Sequence, residues 1–198
     1  MQADTSANPV PQFELRGNRF KPLTWGTMTP AQQHMTRNVL TGKRGALQGP
    51  FNVLLYSPEL GDLAQKIGAH TRFSSSLPLA LNELAILLVA RFWTCQFVWW
   101  IHRRVAEEAG LPKALTQSIA LRQPPPVLTG ELEAVYFFCD ELIQTRRVSD
   151  ASYAALLKYF GEAGAVDLMG TMSYYTLVSM ALNVDQYPLP EGAVPELA

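Results

Sequence analysis

The sequence predicts an all-α protein, and three observations support that fold class. Apolar residues recur at intervals of three and four rather than two, which is the spacing of a buried helix face and not of a strand. Helix start and stop signals stand at the ends of these segments, such as the Thr29-Pro30 pair and Gly110. Hydrophobic residues make up 48% of the 198 and charged residues 17%, so the chain can bury a sizeable core.

Caps and helix breakers divide the chain into a series of expected helices. Leu84–Ala90 is apolar on every side, which predicts a helix buried at the centre of the fold. Thr94 is a candidate N-cap for the helix that follows it, and residues 161–164 are expected to form a turn. The expected helical segments are about 30–41, a single turn within 51–57, 58–73, 77–92, 95–108, a short helix after Pro112, 130–146, 150–160 and 165–182.

The chain is expected to contain one folded domain between two irregular ends. Residues 1–27 are polar and interrupted by prolines, so we interpret them as an N-terminal arm that wraps a neighbouring subunit or stays mobile. Residues 28–192 form the domain, and residues 193–198 form a C-terminal tail. The Pro124–Pro126 run is expected to be a rigid linker between helices.

Composition argues against several classes of protein. The formal net charge is −1, without the basic stripe of a nucleic-acid-binding protein, and three scattered histidines do not suggest a metal cluster. The two cysteines form neither a CxxC motif nor a disulfide framework, which favours a reducing cytoplasm. The N-terminus lacks the features of a signal peptide, and no apolar stretch could span a bilayer. We therefore expect a soluble cytoplasmic protein with no membrane or nucleic-acid partner.

The residues with the clearest chemical potential lie between Glu83 and His102, in the stretch ELAILLVARFWTCQFVWWIH. Cys95 and His102 lie seven residues apart, about two helical turns, so one helix would present both on one face. Cys95 is also expected at a helix start, where free amides and the helix dipole favour a thiolate. Glu83 lies on the apolar helix before it, where a carboxylate must reach a polar partner or stay protonated. A buried carboxylate facing a histidine and a thiol is typical of a site that moves protons.

Each of these residues also has a purely structural interpretation. A lone cysteine is more often a small buried apolar residue, and a lone histidine is more often a structural one. Glu83 could equally form a helix-to-helix contact with Arg91 or Arg103. The combination favours a site without establishing one.

The same stretch resembles the carboxymuconolactone decarboxylase-like (AhpD-like) family. That family has a Glu, then a Cys-centred motif twelve residues later, then a His seven residues on, and Glu83, Cys95 and His102 match this spacing. The resemblance covers roughly residues 28–192 and implies an AhpD-like helical bundle that forms homo-oligomers, often trimers or hexamers. The other blocks that carry it are GPFNVLLYSPEL at 49–60, RFSSSLPLALNELAIL at 72–87, HRRVAEEAGL at 102–111 and MGTMSYYTLVSMALNVDQYPLPEG at 169–192.

The chain departs from this family at the motif itself. The alkylhydroperoxidase branch has CxxC, but the position of the second Cys is occupied by Val98, so the thiol–disulfide cycle is missing. Many members without CxxC have Glu at that position and Tyr one residue before it, whereas this chain has Val98 and Phe97. Cys139 lies among aromatic residues, and we interpret it as buried packing rather than as a resolving thiol.

Other residues are candidates for the pocket wall. His70 and Arg72 are either surface charges or a cationic anchor for a substrate carboxylate, which an arginine binds in a bidentate manner. Trp99, Phe97 and Val98 are candidate wall residues, and the resemblance adds Tyr174 with its neighbour Tyr175. The tryptophans around the motif could equally belong to the core or a subunit interface.

Three functional hypotheses follow. The first is a decarboxylase or lactone-processing enzyme that needs no metal or organic cofactor and acts on a small carboxylated compound of the aromatic-degradation type. His102 would be its general acid and base, Glu83 would orient His102 or relay a proton, and Cys95 would shape the pocket or assist catalysis. The second is a peroxiredoxin-like antioxidant that uses Cys95 alone with an external thiol. The third is a non-catalytic oligomer that binds a small ligand.

Overall fold

Helices dominate the computed structural model, which describes residues 10–198, and that part of the chain contains no β-strand. The all-α prediction is therefore confirmed. A single 3₁₀ turn at Trp25–Thr27 precedes the first α-helix. The α-helices are α1 Pro30–Thr41, α2 Phe51–Leu54, α3 Pro58–Phe73, α4 Leu79–Phe92, α5 Gln96–Glu108, α6 Lys113–Ala120, α7 Gly130–Thr145 and α8 Asp150–Asp185.

The capping residues explain where several helices begin. The Thr29 side chain accepts a hydrogen bond from the Gln32 N–H, and the Gln32 side chain accepts one from the Thr29 N–H. This reciprocal pair satisfies two amides that the first turn of α1 would otherwise leave free. Ser149 caps α8 by accepting a hydrogen bond from the Ser152 N–H. Both starts agree with the sequence-based expectation.

One local prediction was wrong, and another was correct in position but not in length. Thr94 does not cap α5, because it closes α4 in the left-handed conformation with a φ of 48°, and the N-cap of α5 is Cys95. The Cys95 N–H donates to the Ala90 carbonyl and the Thr94 N–H to the Arg91 carbonyl, which is a Schellman ending. The break expected at 161–164 is present but confined to Gly161, whose φ of 61° and ψ of −173° are not helical, so α8 consists of two helices joined at a kink.

Helix α4 lies at the centre of the fold, packed against α5, α7 and α8. Every residue of Leu84–Ala90 is buried, as expected from a segment that is apolar all round. Each fully buried large side chain of this kind contributes roughly 1.5–3 kcal/mol of stability. Helix α4 is therefore a rigid support for the polar residues it carries.

The irregular ends fold back onto the domain. Asp185 is fully buried, and one of its carboxylate oxygens accepts hydrogen bonds from the N–H groups of Asn18 and Phe20. The C-terminal tail packs along α5, where Leu197 is buried and the Gln96 side chain bonds its backbone. Residues 10–27 therefore lie against their own chain, whereas residues 1–9 of the expected arm lie outside the described part. No helix within residues 10–198 is long and apolar enough to cross a membrane.

Candidate active site

Glu83 and His102 form a buried hydrogen-bonded pair between α4 and α5. The His102 Nδ1 lies 2.7 Å from the Glu83 carboxylate, and the two residues are 3% and 6% exposed. Arg91 and Arg103, the two alternative partners considered for Glu83, form their contacts with other groups. Arg91 bonds Thr94 and the Ala198 carbonyl, and Arg103 pairs with glutamates on α5 and in the tail.

The short connection between α4 and α5 brings this pair together. Glu83 lies about two and a half helical turns before the end of α4, and His102 lies about two turns into α5. Because the Schellman ending reverses the chain within three residues, the two helices pack closely along their length. The twelve- and seven-residue spacings therefore place a carboxylate opposite an imidazole at the same depth in the fold.

The second nitrogen of the His102 ring is available for chemistry. Nδ1 is held by Glu83, and Nε2 makes no hydrogen bond to any described residue, while His102 lines a cavity. The ring packs edge-to-face against Tyr175, with ring centroids 4.8 Å apart. Glu83 on one side and Tyr175 on the other fix the orientation of the imidazole, which contributes to the cavity wall.

The cavity beside His102 has a volume of about 150 Å³ and a cationic side. Arg44 comes from the loop after α1 and Arg72 from the end of α3, and both line the cavity. Arg44 donates a hydrogen bond of 3.0 Å to the Tyr174 hydroxyl, and its Nε–H is buried without a partner. Neither arginine forms an ion pair with a carboxylate within residues 10–198. An anion in the cavity would satisfy these donors.

The two tyrosines at this cavity remain neutral hydrogen-bonding groups. Burial raises the pKa of Tyr174, although Arg44 and Arg72 oppose the shift. Burial also raises the pKa of Tyr175 far above its ordinary value, and the Glu83 carboxylate adds to that effect. Both phenols therefore keep their protons at neutral pH and can act as donors.

The absence of a side chain at Gly68 leaves space for this arrangement where α3 and α8 pack closely. Gly68 on α3 is buried, and a Cβ at its position would clash with the Arg44 guanidinium and the Tyr174 ring. A larger residue would displace one or both side chains. The glycine at 68 thus allows Arg44 and Tyr174 to occupy their positions at the cavity.

Cys95 does not contact the Glu83–His102 pair. Its side chain is 1% exposed, it does not line the cavity, and it makes no hydrogen bond to Glu83 or His102. Burial raises the pKa of the Cys95 thiol, although the N–H groups of Val98 and Phe97 and the Ser179 hydroxyl oppose the shift. The expected thiolate at a helix start is thus wrong, because desolvation outweighs the helix amides.

The candidate wall residues fall into two groups. Phe97, Val98, Arg72 and Tyr174 line the cavity, as does Tyr175. Trp99 does not: it is fully buried, and its indole N–H donates to the Glu196 carboxylate 3.0 Å away. It anchors the tail instead.

Two further candidates are placed away from the cavity. Cys139 is fully buried, and burial strongly raises the pKa of its thiol, which makes it an inert core residue. His70 pairs with Asp167 at the surface, 2.9 Å away. Neither residue lines the cavity around His102.

Sequence reasoning missed Arg44 and Gln48, which line the cavity from the loop between α1 and α2. The one sequence signal is their place in a glycine-rich segment, GKRGALQG at 42–49, which lets the backbone fold inward. Helical periodicity carries no information about such a loop.

Together these residues provide an oriented imidazole, a carboxylate behind it and two guanidinium groups in one small cavity. Such a site can bind a carboxylate and transfer a proton to or from an atom close to it. Among the described residues, no group of three His, Cys, Asp or Glu side chains is arranged to hold a metal ion. No protein-family model matches the chain, and no curated protein matches it either.

Proposed function

We propose that this chain is a cofactor-independent decarboxylase or lactone-processing enzyme of the carboxymuconolactone decarboxylase-like, AhpD-like family. Its substrate is a small carboxylated compound of the aromatic-degradation type. The observation that carries the proposal is the 2.7 Å contact between Glu83 and His102 at a cavity lined by Arg44 and Arg72. The family part of the proposal is supported by the spacing of Glu83, Cys95 and His102 and by the ordered sequence blocks around it.

The substrate is held through its carboxylate in this proposal. Arg44 and Arg72 offer planar guanidinium donors that fit a carboxylate in a bidentate manner, and the Arg44 Nε–H has no protein partner. The Tyr174 hydroxyl, already bonded to Arg44, completes the anchor. A carboxylate held here lies in the same cavity as His102, which brings the reacting carbon close to the imidazole.

In this proposal His102 transfers the proton. For an unsaturated lactone acid, the bond from the ring carbon to the carboxylate breaks, the carboxylate leaves as carbon dioxide, and the electron pair of the bond passes into the conjugated lactone carbonyl. The lactone itself is thus the electron sink, which removes the need for an organic cofactor. His102 Nε2 then delivers a proton to the ring carbon next to that carbonyl, and Glu83 stabilises the imidazolium before the transfer.

A thiol antioxidant function is less well supported. Attack on a peroxide requires an accessible thiolate, whereas Cys95 is buried and its pKa is raised by that burial. Cys139 is buried as well, and Val98 occupies the place of a resolving cysteine. These residues oppose the antioxidant hypothesis on chemical grounds.

We further propose a cytoplasmic homo-oligomer, a trimer or hexamer as in the family. Leu60, Leu63 and Ile67 lie on one face of α3 and are 52%, 62% and 52% exposed. An apolar face of this kind favours subunit contact. Light scattering behind size-exclusion chromatography tests the proposal, and a monomer at micromolar concentration would contradict it.

The direct test of the enzyme proposal is turnover. Purified protein is incubated with γ-carboxymuconolactone and related carboxylated lactones, and carbon dioxide release and ultraviolet absorbance are followed. We expect turnover by the wild type and by the control His70→Gln, and loss of about 10²–10⁴-fold in His102→Gln. A folded wild-type protein with no turnover across the panel would refute the proposal. Unchanged biological function in His102→Gln would instead favour the non-catalytic binding protein.

A further inference from the structure

A second, larger cavity adjoins the cavity around His102. It has a volume of about 530 Å³, and the two cavities share Gln48, Phe97 and Ile101 as common walls. We call the cavity at His102 the inner chamber and the larger one the outer chamber. The shared residues form the partition between them, so a ligand that passes Phe97 would occupy both.

Aromatic rings form much of the outer chamber. Phe97 stacks on Trp100, with ring centroids 6.5 Å apart and planes 27° apart, and meets the Tyr187 ring edge-on at 4.5 Å. Phe13 from the N-terminal segment also lines this chamber. Flat apolar groups pack well against such rings, because offset stacking and edge contacts are both available.

The partition is held in place by the loop before α2. Gly49 has a φ of 64°, and a Cβ at its position would lie 3.3 Å from the Phe97 ring. This loop therefore packs closely against Phe97, the ring that divides the chambers.

The sizes of the chambers indicate how a substrate would divide between them. A volume of about 150 Å³ holds little more than a benzene-sized group, which is enough for a reacting head. The outer volume lies within the range of roughly 300–1,000 Å³ that is usual for small-molecule sites. Its outer side is formed by the segment at 12–16, which is tied down through Asn18 and Phe20 to Asp185.

We propose that the substrate has two parts, a carboxylate-bearing head in the inner chamber and a planar apolar or aromatic tail in the outer chamber. The substrate class is thus a carboxylated lactone with an aryl or alkenyl substituent rather than a compact one; a substituted carboxylic acid without the lactone serves as a binding probe. The head rests on the proposed function, because it uses Arg44 and Arg72. The tail rests independently on Phe97, Trp100 and Phe13.

Isothermal titration calorimetry with three probes tests the inference: acetate as a head alone, trans-cinnamate as head and tail, and trans-cinnamamide as a neutral tail. In the wild type we expect cinnamate to bind at least about tenfold more tightly than acetate, from burial of the phenyl ring. Trp100→Ala should remove most of this preference. Phe13→Ala, in the surface segment at 12–16, is a second variant that should also reduce it. The control Trp93→Ala, at a tryptophan that lines neither chamber, should keep it.

The outcomes separate this inference from the proposed function. Equal affinity for acetate and cinnamate, or a preference unaffected by Trp100→Ala and Phe13→Ala, would overturn the two-part substrate and leave the proposed function standing. Binding of the amide but of neither acid, with dependence on Trp100, would support the outer chamber and contradict carboxylate anchoring. If none of the three probes binds to the folded protein, the inference is overturned.

Discussion

The Glu83–His102 pair makes a quantitative prediction that needs no substrate. The perturbations are Glu83→Gln, which removes the charge but keeps a hydrogen-bonding side chain, His102→Gln, and the double variant. Because the two residues are 3% and 6% exposed, solvent screens their interaction weakly. Each single variant replaces one member of the buried carboxylate–imidazole pair with a neutral amide, so each should lower the free energy of unfolding by about 2–4 kcal/mol.

The size of the coupling follows from the contact itself. The Nδ1-to-carboxylate distance of 2.7 Å is that of a charge-assisted hydrogen bond, which contributes about 1.5–3 kcal/mol. The double variant no longer carries an unmatched charge, so its destabilisation should fall short of the sum of the single effects by about that amount. The pair would then be an energetically coupled unit and not two neighbouring core residues.

Urea unfolding at neutral pH, followed by circular dichroism, measures all four proteins. The slope of the unfolding free energy with urea must stay constant for the comparison to hold. A coupling below about 0.5 kcal/mol, the range found for independent sites, would refute the reasoning. A downfield imidazole N–H proton resonance in the wild type, absent from Glu83→Gln, gives a second check on the hydrogen bond.

Three further predictions follow from the surroundings of the site. Burial raises the Cys95 pKa, so iodoacetamide should label it very slowly at pH 7.5 in a folded Cys139→Ser variant, and rapid labelling by mass spectrometry would contradict this. Although burial opposes it, hydrogen bonds from the Ser76 backbone and side chain and from His70 lower the Asp167 pKa. Asp167→Asn should therefore cost about 1 kcal/mol at pH 7, with the difference fading as the pH falls below about 4; a constant difference down to pH 2 would contradict it. Gly68→Ala should destabilise the fold by about 1–3 kcal/mol and weaken cinnamate binding, because its Cβ displaces Arg44 or Tyr174; unchanged calorimetric affinity would contradict the second effect.

The elements that sequence predicted well are those set by local chemistry. Thr29, Pro30 and Ser149 act within one helical turn, so the helix starts can be derived from neighbouring residues. The approach of Glu83 to His102 follows from helical geometry and a short connection. Local pattern and tertiary packing agree at these positions.

The elements that sequence predicted poorly depend on distant neighbours. Thr94 lies between two helices, so it could either cap the start of α5 or close the end of α4. In the structure it closes α4. The acidity of Cys95 depends on burial under α8, which its helix position does not reveal. Arg44 reaches the cavity through a loop whose path is set by its contact with Tyr174, 130 residues later.

The central claim is that Glu83 makes His102 an effective proton donor and acceptor for a substrate held by its carboxylate. The most direct measurement is kcat and KM for carboxylated lactones in the wild type, in Glu83→Gln and in Glu107→Gln, a carboxylate on α5 that pairs with Arg103 away from the cavity. We expect kcat to fall by about 10²-fold or more in Glu83→Gln, with KM changing little, and to stay near wild type in Glu107→Gln. Wild-type kcat in a folded Glu83→Gln protein would contradict the claim.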